Sequence, residues 1–80
     1  MPIYHFNIHD GRDYPDLTGS ELADLDAARS EAVQRVADLL KDGAPSFWSG
    51  RPWHMDVADA RGLTLFTLMF LATTSRLAQD

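Results

Sequence analysis

The chain has 80 residues, no cysteine and a net charge of −5. This length predicts one domain over residues 1–80, and the lack of cysteine excludes disulfides and thiolate-bound metals. The seven basic residues are scattered along the chain, which argues against binding to nucleic acid or an anionic membrane because both depend on clustered positive charge.

The first predicted element is a strand over residues 3–9. Apolar side chains alternate from Tyr4 to Ile8, so His5 and His9 point to the opposite face. Four residues of extended chain separate the Cα atoms of these two histidines by about 13 Å. We therefore expect that they do not share a metal ion.

Two turn signals and a weak strand follow. Asp10-Gly11 ends the first strand. A short second strand is predicted over residues 12–15. Pro15 confines it to a sheet edge because proline has no N–H to donate. Residues 16–19 predict another turn. The aspartates of this stretch lack the alternating ligands and closing glutamate of a calcium loop, so we interpret them as turn formers.

A helix is predicted over residues 25–42. Asp24 is suited to cap its first turn, and Gly43 to take the left-handed position after its end. Arg35 is expected on the solvent side, paired with Glu31. The apolar residues at helical spacing are Leu25, Ala28, Ala32, Val36, Leu39 and Leu40, with Val33 widening the stripe.

The last two predicted strands, 53–58 and 63–71, form a hairpin. A four-residue turn places Met55 opposite Phe66 and gathers the large apolar side chains on one face. A three-residue turn would place Asp56 opposite Phe66 instead. The four-residue register is favoured because it buries apolar groups together.

The loop before this hairpin, residues 44–52, is rich in aromatic side chains. Phe47 and Trp48, with Trp53, flank Arg51. Such a group is suited either to a lid over the end of a small core or to a protein interface. We favour the lid.

The element order predicts an α+β fold, β-β-α-β-β, in which one helix packs across one face of a small antiparallel sheet of three to four strands. The second face of the last strand then holds a surplus of apolar side chains. The predicted interface comprises these and the two histidines of the first strand: Leu63, Leu65, Met69, Leu71, His5 and His9. Exposed patches of this kind mark protein contacts, so a homodimer through the last strand is expected, with another protein partner on this face as the alternative. The alternative is that the tail, residues 72–80, folds back over this face; we favour it less because Leu77 and two alanines are the apolar groups it offers.

No catalytic, cofactor-binding or metal-ligating residues are predicted. The serines lack the context of an activated nucleophile, and no phosphate loop or dinucleotide motif occurs. His54 could lie beside His5 if their strands pair, yet no third ligand is evident. We therefore expect no enzymatic activity and no cofactor.

Two motifs carry a resemblance to a known family. The pattern Met-x-x-Tyr-x-Phe-x-x-x-Asp-Gly begins at Met1, and Asp-x-x-Gly-x-Glu-Leu-x-Asp-Leu-x-Ala-Ala-Arg-x-Glu-Ala begins at Asp16. Together with Val57-x-Asp-x-x-Gly62, they resemble a bacterial family of short stand-alone proteins classed as a domain of unknown function. The resemblance implies no established activity and no functional residues. Residues 14–19 are also similar, more faintly, to antitoxins of HicB type.

The sequence therefore predicts a small, non-catalytic interaction or regulatory module that acts as a homodimer. A cytoplasmic location is expected because the first residues lack the charged and apolar segments of a secretion signal. The alternative is an antitoxin-like regulator of HicB type that masks a basic toxin or RNA-binding partner.

Overall fold

The computed structural model describes residues 1–43, 47–48 and 52–75. Its elements are β1 (Ile3–His9), β2 (Asp13–Tyr14), β3 (Ser20–Glu21), α1 (Leu25–Asp42), β4 (Trp53–Asp59) and β5 (Thr64–Phe70). The strands form one antiparallel sheet in the order β2-β1-β4-β5, with β3 also on β1. The predicted α+β fold is confirmed, with five strands instead of three to four.

The additional strand arises because the second strand is interrupted. β2 and β3 pair with opposite ends of β1, through Ile8 with Tyr14 and Tyr4 with Ser20. Residues 15–19 loop out between them. Pro15 marks the start of this interruption, in keeping with its expected edge position.

The helix has the bounds that the sequence predicts. Asp24 caps it, since its Oδ1 accepts a hydrogen bond of 2.8 Å from the Ala27 N–H. The prediction that Gly43 adopts a left-handed conformation is wrong, because its φ is −104°. Its N–H donates to the Leu39 carbonyl at 2.9 Å, so Gly43 continues the right-handed ladder. Among the described residues, no helix combines the length and apolar character required to cross a membrane.

The core lies between the helix and the two central strands. Two alanines of the helix, Ala28 and Ala32, are fully buried, and their small side chains let the helix approach the sheet closely. The other buried core residues are Tyr4, Phe6, Val36, Met55 and Val57. Leu25, Val33 and Leu39 of the predicted apolar stripe remain exposed, because the helix buries only the part of that stripe that faces β1 and β4.

Arg35 does not project into solvent as predicted. Its guanidinium carbon lies 4.1 Å from the centre of the Phe6 ring. The Arg35 Nε donates to Glu31 at 2.7 Å, which confirms the predicted pair, and another guanidinium nitrogen donates to Ser20 Oγ at 2.9 Å. Arg35 therefore ties the helix to β1 and β3.

The register predicted for the hairpin is wrong by two residues. Met55 lies opposite Leu68, not Phe66. The turn has three residues, not the four predicted, because the Asp59 N–H donates to the Leu63 carbonyl. The register then shifts by one position at Leu65, in a β-bulge. This extra residue returns Phe66 to the core face, so the predicted clustering of apolar side chains holds even though the register does not.

Candidate functional site

The face of the sheet opposite the helix brings together polar side chains from four strands. One row across this open face follows the pairing of successive strands and contains Asp13, His9, His54 and Met69. The adjacent row contains Asn7, Asp56 and Thr67. The structure thus places His54 beside His9, not beside His5 as considered from the sequence, and His5 lies opposite Ala58.

His9, His54 and Asp56 form the histidine cluster. The two imidazole rings stack with their centres 4.3 Å apart and their planes 15° from parallel. Asp56 Oδ2 lies 3.1 Å from His9 Nε2 and 3.8 Å from His54 Nε2. One ligand atom from each residue falls within 4.8 Å of the others. Asp56 thus supplies the third donor that the sequence did not reveal.

Two further side chains hold the cluster in place. Asp13 Oδ1 lies 2.6 Å from His9 Nδ1, which leaves His9 Nε2 directed at Asp56. The hydroxyl of Thr67 donates to Asp56 Oδ1 at 2.7 Å, which leaves Oδ2 for the histidines. His9 and Asp56 are each half-buried, with 28% of the side chain exposed, so the cluster is partly screened from solvent while still reachable.

The turn at residues 16–19 borders the same face. Asp16 Oδ1 accepts hydrogen bonds from the N–H groups of Thr18 and Gly19, and Oδ2 accepts one from the Phe6 N–H. His5 Nδ1 donates to the Asp16 carbonyl at 2.7 Å; this nitrogen carries the proton, because a carbonyl can only accept. His5 therefore holds the turn against β1 and takes no part in the histidine cluster.

The environment of Asp16 favours its charged form. Burial alone would raise its pKa, but the N–H groups of Gly19, Phe6 and Thr18, together with the Arg35 guanidinium, outweigh that effect. The pKa of Asp16 is therefore held below its ordinary value. These contacts identify Asp16 as a structural carboxylate that fixes the turn.

An open cleft of about 650 Å³ runs along this face. The turn at residues 15–17 borders it on one side, and the turn between β4 and β5 borders it on the other. Its floor includes His5, His9 and Asp56. Two members of the histidine cluster, His9 and Asp56, thus line an open depression on the surface, whereas His54 lies outside its lining.

The apolar surplus predicted for the last strand is exposed, but it does not form one continuous face. The exposed fractions are 57% for Leu63, 38% for Leu65, 69% for Met69 and 62% for Leu71. Thr64 pairs with Ala58 and lines the cleft, and Thr67 bonds to Asp56 on the same open face. Thr64 and Thr67 thus share the open face although they are three residues apart in the chain. The β-bulge therefore interrupts the regular alternation of side chains between the two faces that the prediction assumed.

The aromatic loop is described in part. Phe47 packs edge-to-face against Trp53 with ring centres 5.3 Å apart, whereas Trp48 is 64% exposed. Arg51 and residues 76–80 of the predicted tail lie outside the described residues.

The sequence contains a partial signal for the cluster. His54 and Asp56 are two apart, so a strand places both on one face. That His9 is their neighbour depends on the register between β1 and β4, which turn chemistry does not determine because the helix separates those strands in the chain.

Comparison with known proteins places the chain in a family. No curated protein and no solved structure matches it significantly. A family model does match over residues 3–71, and it describes a domain of unknown function, DUF6894. The match includes the whole sheet and helix, and with them the histidine cluster and the β5 edge. The chain therefore belongs to the DUF6894 family.

Proposed function

We propose that the protein is a small, non-catalytic cytoplasmic interaction module that acts as a homodimer, in which the β5 strands of two copies pair edge to edge. The observation that supports this function is the character of β5. It is the last strand of the sheet in the described part of the chain, and exposed apolar side chains lie along it.

β5 lacks most of the features that protect edge strands from pairing; the β-bulge at Leu65, near one end of the strand, is the exception. It is seven residues long, Thr64–Phe70, with the sequence TLFTLMF. Natural edge strands are blunted by charged side chains, prolines, β-bulges or very short length. β5 has no charge and no proline. The opposite edge of the sheet is made of two-residue strands, so β5 is the edge available for pairing.

A second copy of the chain suits this edge. A two-fold axis pairs a strand with itself in antiparallel fashion, and an axis through Thr67 would set Leu65 opposite Met69 of the second copy. The paired strands carry no charged side chain, although the chain has a net charge of −5. On the helix side, Phe66, Leu68 and Phe70 are only half-buried by their own chain. Pairing would bury them further, at roughly 1.5–3 kcal/mol for each fully buried side chain before the costs of association.

Light scattering coupled to size exclusion tests this proposal. We expect the chain to have twice its 8.9 kDa mass at micromolar concentration. The double variant Leu65→Lys with Met69→Lys should be monomeric, because it places positive charges opposite each other across the axis. Circular dichroism checks that the variant retains its fold.

A matched control adds the same charge elsewhere. Leu17 and Val33 are both exposed and lie on the 16–19 turn and the helix, so Leu17→Lys with Val33→Lys should remain dimeric. A wild-type monomer at these concentrations would overturn the homodimer. If that monomer also formed a salt-sensitive complex with a basic partner, the alternative of a HicB-type antitoxin-like regulator would replace it.

A further inference from the structure

The histidine cluster gathers donors of the kind that bind transition metals. Two imidazole nitrogens and one carboxylate oxygen lie within 4.8 Å of one another. Ligands about 2.0–2.1 Å from a tetrahedral ion lie about 3.3 Å apart. The Asp56 oxygen is 3.1 Å from His9 Nε2 and 3.8 Å from His54 Nε2, which brackets that spacing.

Two of the three donors, those of His9 and Asp56, are oriented by neighbouring side chains as metal ligands are. A histidine that binds a metal through one nitrogen ordinarily donates the other N–H to a carboxylate or carbonyl. Asp13 provides this partner for His9, at 2.6 Å from Nδ1. The Thr67 hydroxyl plays the equivalent part for Asp56, at 2.7 Å from Oδ1. Both contacts leave the nitrogen and oxygen that face each other as the coordinating atoms.

The types of donor narrow the choice of ion. Mg²⁺ and Ca²⁺ prefer oxygen ligands, whereas two imidazoles with one carboxylate suit first-row transition ions such as Zn²⁺ and Fe²⁺. Three protein ligands leave coordination positions open to water or a ligand. The cleft of about 650 Å³ includes His9 and Asp56 in its lining, so those positions would be accessible from its side.

We propose that His9, His54 and Asp56 bind one divalent transition-metal ion per chain, with Asp13 as the positioning residue for His9. The coordinating lone pair of each imidazole lies in the plane of its ring, so the stacked rings must tilt apart to reach a common ion. His54 is the residue that moves, because its side chain is 39% exposed whereas Asp13 holds the ring of His9. All three ligands lie on β1 and β4 of one chain, so binding is measured per chain. Thr67, which orients Asp56, is the member of the site that also lies on the β5 edge.

Isothermal titration of the full chain with Zn²⁺ at pH 7.5 tests the site. We expect saturable binding of one ion per chain that a large excess of Mg²⁺ does not displace. His54→Gln and Asp56→Asn should each weaken binding by at least tenfold, and the asparagine can still accept from Thr67. Asp13→Asn should weaken it by about 10–100-fold, the usual effect of losing a carboxylate that orients a ligand.

His5→Gln is the matched control, because it removes an imidazole from the same strand about 13 Å from His9. Its affinity for Zn²⁺ should equal that of the wild type. Nitrogen chemical shifts of the imidazoles provide a second measurement, in which Zn²⁺ should perturb His9 and His54 and leave His5 unchanged. Absence of saturable binding, or equal loss of affinity in His5→Gln and His54→Gln, would overturn the proposal.

Discussion

Two turns in this protein have the same Asp-x-x-Gly pattern, at residues 16–19 and 59–62. In each, the aspartate side chain accepts hydrogen bonds from backbone N–H groups two to four residues later. In each, the glycine has positive φ, 78° at Gly19 and 85° at Gly62. The local geometry is therefore alike, and it explains why both positions require these residue types.

The two turns differ in what lies around them. Asp16 also binds the Phe6 N–H of β1, and a Cβ at Gly19 would lie 2.6 Å from Ile3 and 2.9 Å from His5. A Cβ at Gly62 would meet nothing within 4 Å. The first turn thus joins the interrupted strand to the sheet, whereas the second only reverses the chain. We therefore expect the same Asp-x-x-Gly motif to contribute more to the free energy of unfolding at residues 16–19 than at residues 59–62.

Gly19→Ala should produce the largest difference between the turns. It forces alanine into the left-handed region and against Ile3, so we expect a loss of about 2–5 kcal/mol in the free energy of unfolding. Urea denaturation followed by circular dichroism measures this loss. A loss no greater than that of Gly62→Ala would show that the contact with β1 adds nothing.

Asp16→Asn should have the next largest effect. The amide cannot accept through both atoms, so one partner N–H is left unsatisfied at a cost of about 1–3 kcal/mol. Asp59→Asn is the matched control. It should lower the free energy of unfolding less, because the Asp59 carboxylate accepts hydrogen bonds from Arg61 and Leu63 in its own exposed turn.

The cost of Asp16→Asn should also depend on pH. The pKa of Asp16 is lowered in the folded state, so its stabilising contribution is complete above the unfolded value of about 3.9 and is lost as the pH falls through the folded value. The difference in stability between the wild type and Asp16→Asn should therefore be constant near neutrality and shrink below about pH 4. Urea denaturation across this range measures it, and a constant difference down to pH 2 would contradict the assignment.

Of the two glycine changes, Gly62→Ala should have the smaller effect on the free energy of unfolding. The site has room for a methyl group, so only the conformational strain of positive φ remains, at about 1–2 kcal/mol. Thermal unfolding measures it, with a decrease in midpoint of about 4–8 °C per kcal/mol for a domain of this size. A larger decrease than that of Gly19→Ala would reverse the comparison.

Much of the fold could be predicted because it depends on local signals. The helix bounds follow from Asp24 and from the apolar spacing, and β1 follows from the alternation between Tyr4 and Ile8. The predicted hairpin register was wrong for two reasons. The turn is one residue shorter than predicted, and the β-bulge at Leu65 shifts the pairing by a further residue. The position of Arg35 over Phe6 was also missed, since a charged residue at that spacing is normally solvated.

The sequence by itself determined the helix, the three long strands and the turns, and that the last strand carries an apolar surplus, whereas β3 was not predicted. Local hydrogen bonding and side-chain periodicity are sufficient for those features. Only the tertiary structure decided that β1 lies against β4, and with it that His9 meets His54 and Asp56. Long-range register depends on how the whole core packs, so a site assembled across strands is visible only once the sheet is formed.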